Sequence, residues 1–147
     1  MKLITVFDRK ELLRRFARKQ RPLFSIFFRL QGNRSYPSDD WHDFGCVLMG
    51  WWLSELLNLQ GGSKHARLAF MEGPHALHLK SKGRLLLVSG EDGTQFDKVT
   101  VGSLEAEWCS TAEKAADYFL RNEVFPKEAE NMRIGIRLLC ERGAANS

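Results

Sequence analysis

Three runs decide the fold: Ala66-Arg67-Leu68-Ala69-Phe70-Met71, His75-Ala76-Leu77-His78-Leu79-Lys80 and Arg84-Leu85-Leu86-Leu87-Val88-Ser89. Each has the length of a strand, and they are divided by Gly73-Pro74 and by Lys80-Ser81-Lys82-Gly83, where turn-forming residues let the chain reverse. Strand-length segments joined by tight turns predict an antiparallel meander. Glu91-Asp92-Gly93 supplies the next turn, and residues 98–108 read as a further strand.

Upstream, residues 23–31 alternate with a period of two. Phe24, Ile26, Phe28 and Leu30 fall on one face and Ser25, Arg29 and Gln31 on the other, which predicts a half-buried strand. Before it, Asp8 and Glu11 have the spacing of a capping box, with Phe7 and Leu12 placed as a hydrophobic staple. Leu12, Leu13, Phe16 and Ala17 then recur at helical spacing, so a helix is expected over about residues 8–21, ended by Pro22.

Between Phe44 and Gln60 the alternation of Phe44, Cys46 and Leu48 predicts a short strand, and Trp52, Leu53, Leu56, Leu57 and Leu59 predict a helix stopped by Gly61-Gly62. Ser110 with Glu113 repeats the capping-box spacing, and Ala112, Ala115, Ala116 and Phe119 give the helix that follows its packing face. Residues 127–142 suit helix or strand, and residues 144–147 should fray. The sum is one α+β domain over residues 1–147: an antiparallel sheet of about five strands packed with two or three helices, its sheet core at about 23–108 and a helical C-terminal part at about 110–142.

A chain of 147 residues buries roughly two thirds of its unfolded surface in one core without disulfide or metal support. Cys46, Cys109 and Cys140 are odd in number and widely spaced, which fits buried free thiols rather than a disulfide framework or a C-x-x-C metal or redox pattern. The first eight residues lack the features of an export signal, and the run from Phe44 to Leu59 is too short and too interrupted to cross a bilayer, so a cytoplasmic protein is expected.

Motifs for chemistry are sparse. His75 and His78 stand three apart on an expected strand and so point to opposite faces, which disfavours a shared metal. Adjacent side chains such as His42 and Asp43 seldom meet as a base and its orienting acid, and Gly61-Gly62-Ser63-Lys64 lacks the first glycine and the spacing of a phosphate loop. No metal, cofactor or catalytic residue is assigned.

The exposed loop of residues 32–40 leads instead into an acidic and aromatic corner. Asp39, Asp40 and Asp43 flank Trp41, and Glu72 lies at a neighbouring turn. Carboxylates steer a basic partner and a buried indole anchors it, so Asp39, Asp40, Trp41, Asp43 and Glu72 are the candidate partner contacts. On Tyr36-Pro37-Ser38, Trp41-His42-Asp43-Phe44, Trp51-Trp52-Leu53 and Phe70-Met71-Glu72-Gly73-Pro74-His75, the chain resembles immunity proteins of bacterial polymorphic-toxin and contact-dependent growth inhibition systems, over roughly residues 24–110. The resemblance implies a small cytoplasmic α+β protein that binds one cognate toxin domain and catalyses nothing. Immunity proteins against nucleases are often acidic, whereas this chain has a pI near 9.1, so the toxin need not be a nuclease.

Charge placement supplies an alternative. Residues 1–21 hold eight basic against two acidic residues, so the chain's net +4 is +6 here and −2 elsewhere. A helix bearing Arg9, Lys10, Arg14, Arg15, Arg18 and Lys19 suits a nucleic-acid-binding module.

Overall fold

A computed structural model describes the backbone of residues 1–145 and the side chains of residues 1–140. The fraying expected of residues 144–147 falls at and beyond that limit. In chain order the elements are β1 (Lys2–Val6), α1 (Arg9–Ala17), β2 (Phe24–Leu30), β3 (Arg34–Tyr36), β4 (His42–Asp43), α2 (Gly45–Gln60), β5 (His65–Ala69), β6 (Ala76–Lys82), β7 (Leu85–Ser89), β8 (Gln95–Val99), α3 (Val101–Arg121) and α4 (Pro126–Ala145). The class is α+β as expected, but the strands form two antiparallel sheets of four rather than one of about five. In the first, β2 is flanked by β1 on one side and by β3 and β4 on the other. The second is the meander β5-β6-β7-β8.

The capping box at Asp8 forms, its Oδ1 accepting from the Glu11 amide at 3.2 Å. The helix it starts ends at Ala17, short of Pro22, because Lys19 turns into the left-handed region at φ 56° and reverses the chain. β2 differs from a strand with one wet face: Ser25 and Phe27 are buried as fully as Phe24, Ile26 and Phe28. Its neighbour β1, which the sequence reading left without a structure, has its outer edge covered by α3, and Glu107 accepts from the Leu3 amide at 3.3 Å.

No strand runs from Phe44 to Leu48; α2 starts at Gly45 and the helical period holds from there, with Leu48, Met49, Trp52, Leu56 and Leu59 buried. Gly45 is required, since a Cβ there would lie 2.1 Å from the Phe24 ring. The strand expected over 98–108 is also replaced by helix. β8 stops at Val99, and Thr100 caps α3 by accepting from the Ser103 amide at 3.1 Å, ten residues before the expected cap at Ser110. Ser110 lies exposed within α3. Thr100→Ala should therefore cost about 1 kcal/mol in a urea unfolding experiment, whereas Ser110→Ala should change stability by only a few tenths.

α3 and α4 pack against each other, and α4 approaches closely at Gly135, where a Cβ would meet the Trp108 ring at 2.5 Å. One hydrophobic cluster joins both sheets to the helices. At its centre Trp52 packs on Phe28 of the first sheet at 5.0 Å and on Phe70, just after β5, at 5.3 Å. Tyr36 ties the sheets a second time: its hydroxyl donates to the Ala76 carbonyl at 2.9 Å and accepts from the Ala76 amide at 3.0 Å. Burial pushes the Tyr36 phenol above its ordinary pKa.

Candidate functional site

β4 and the turn after β5 bring the acidic and aromatic corner together. The Asp43 carboxylate is wholly buried there and accepts four hydrogen bonds: from the Trp41 indole at 3.0 Å and from the amides of Phe44, Met71 and Glu72 at 2.8, 3.0 and 3.2 Å. These donors come from two segments nearly thirty residues apart, so one carboxylate pins β4 to the 70–75 turn. A buried anion of this kind is tolerable because every oxygen is satisfied by N–H donors.

This corrects the expected role of Asp43. With no exposed surface and its oxygens already engaged, it positions the corner rather than presenting a carboxylate at its surface. Trp41 is half-buried rather than presented. Its ring stands edge-on to His75 at 5.1 Å and against Gly73, where a Cβ would come within 2.9 Å of it. Asp39 is exposed but paired with Arg29 at 3.2 Å and hydrogen-bonded by the Ser35 hydroxyl. Asp40, at φ 55°, is exposed, and its carbonyl lies 2.7 Å from the His42 ring.

Glu72 is exposed, and beside it Met71 is 42% exposed although its amide is fixed by Asp43. Met71 was missed in the sequence because it closes a strand-like run and reads as its last core residue. The turn residues Glu72-Gly73-Pro74 directly after it were the available signal that the chain leaves the core there.

The other candidates separate. His75 packs against Trp41, whereas His78 lies on the far face of the second sheet, 3.0 Å from Glu91. Among the described residues no group of three metal-ligating side chains converges. Cys46 is half-buried, and desolvation raises its thiol pKa. Cys109 is pushed up to about 12 by burial and by Cys140 beside it, and Cys140 is exposed rather than buried. On α1, Arg14 is held by Glu11 at 2.5 Å, Arg15 donates to the Arg21 carbonyl at 2.6 Å and Arg9 donates to Asn122 at 2.8 Å. Three of the four basic residues of α1 are thus engaged within the molecule.

No helix among the described residues is long and apolar enough to cross a membrane. Comparison with known protein families, with curated proteins and with solved structures finds no match to this chain.

Proposed function

We propose that the protein works by stoichiometric binding to another protein, as an immunity protein neutralising a cognate toxin domain, with no cofactor and no catalysis of its own. One observation carries this reading. A single buried carboxylate locks two distant loops into one corner, in which one loop exposes Met71 and Glu72 and the other exposes Asp40 next to the half-buried Trp41. Binding loses less conformational entropy on a surface already held in shape, and an exposed thioether on a loop that also exposes the Glu72 carboxylate suits a basic, partly apolar partner. The toxin class comes from the resemblance of residues 36–44, 51–53 and 70–75 to immunity proteins.

The test is co-purification with the product of the adjacent gene, followed by titration calorimetry on Met71→Asp and on the pair Asp40→Lys with Glu72→Lys. All three positions are exposed, so the fold should survive. A one-to-one complex weakened at least about tenfold by either variant supports the proposal. A folded neighbouring protein that does not bind, or one that binds both variants unchanged, overturns it.

A further inference from the structure

The outward face of the second sheet carries a cationic strip, opposite in sign to the acidic corner. Cross-strand partners share a face, so the register places His65, Lys80, Leu87 and Lys98 in one row and Arg67, His78 and Ser89 in the next, with Lys82 opposite Leu85 beyond them. Arg67, Lys80, Lys82 and Lys98 are all exposed, and Leu85 is 40% exposed.

Acids barely offset this charge. Glu91 bonds His78 at 3.0 Å and Arg67 at 3.3 Å at one end of the face, and the hydrogen bond from His78 is the main cause that holds its carboxyl below the usual range. Asp97 of β8 points inward, where it meets the amino terminus and the Gln31 amide. Among the described residues Lys80, Lys82 and Lys98 have no carboxylate partner. The strip continues at the β8 side into an open cleft of about 490 Å³ lined by Lys2, Leu85, Lys98 and Glu107, with the Lys2 ammonium 3.9 Å from Glu107.

We propose that this face binds the phosphodiester backbone of a nucleic acid, without base specificity. Lysines are depleted at the centres of protein interfaces, which rely on aromatic and apolar anchors, and this face offers only Leu85 and Leu87 of that kind. Mobile ammonium groups on alternate positions of adjacent strands are instead the chemistry that neutralises phosphates and releases their counterions. No exposed aromatic ring stands in these rows to stack on a base. The site differs from the basic helix α1 expected from sequence, and it is independent of the protein-binding corner on Asp43.

Fluorescence anisotropy of the full chain with labelled single-stranded and duplex oligonucleotides of mixed sequence tests it. Binding should fall steeply with salt, and Lys80→Gln with Lys98→Gln should weaken every sequence alike by about tenfold at low salt and flatten the salt slope by about two phosphate contacts. Lys10→Gln on α1 with Lys19→Gln just after it should leave binding unchanged. Absent binding at low salt, loss confined to the α1 variant, or tight binding of polyglutamate in place of the oligonucleotides would each overturn the assignment. Because the acidic corner is untouched in these variants, failure here leaves binding to a protein partner unaffected.

Discussion

Asp43→Ala should lower the unfolding free energy by about 3–5 kcal/mol, read as a shift of the urea midpoint at unchanged slope. The substitution removes one buried acceptor and orphans four donors at once, the Trp41 indole and the amides of Phe44, Met71 and Glu72. Each unpartnered donor costs about 1–3 kcal/mol when it stays dry, and the total falls below the simple sum because the turn at Met71 and Glu72 opens to water. Asp43→Asn is the sharper test. It keeps the shape but replaces one acceptor oxygen by a donor facing other donors, so it should recover little of the loss. Recovery of most of the stability by asparagine would mean that volume rather than the carboxylate holds the corner. Either variant should also release the 70–75 turn, seen as faster amide exchange at Met71 and Glu72 than at residues of β6.

The same residue shows where reading the sequence reaches its limit. Asp43 was expected at a surface but is buried, because its donors at Met71 and Glu72 are contributed by a segment that no local pattern connects to it. Patterns that act over a few residues were legible: the Asp8 cap, the existence of strand β2 though not the burial of both its faces, the meander from β5 to β7 and the glycine stop after α2. β1 was not, since Lys2-Leu3-Ile4-Thr5-Val6 has no clear alternation and gains its place only by pairing with β2 and lying against α3. The start of α3 was hidden for a related reason. Lys98 to Val101 reads as β-branched strand, and the Thr100 cap is followed by Gly102, the poorest helix former after proline. A division into two sheets depends on which strands pair, and pairing over long separations leaves little trace in periodicity.

Trp52→Ala should cost about 3–5 kcal/mol, a large share of a typical domain's 5–15 kcal/mol, while Trp51→Ala one position earlier should stay within about 0.5 kcal/mol. The two indoles differ only in the face of α2 they occupy: Trp51 is 44% exposed and Trp52 is 1% exposed. Trp52 fills the space where α2 meets both sheets, against Phe28 and Phe70, and its indole donates to the Ala69 carbonyl at 2.9 Å. Its removal enlarges an existing apolar void of about 10 Å³ bounded by Leu3, Phe28, Leu56, Leu68, Leu104 and Trp108. Those walls belong to β1, β2, α2, β5 and α3, so no single element can shift inward to fill the hole, and the cavity term should persist. Trp52→Phe separates the contributions. It retains much of the packing and loses the bond to Ala69, so a cost of about 1–2 kcal/mol is expected. Equal losses for Trp51→Ala and Trp52→Ala in urea denaturation would show that the two sheets do not meet at this indole.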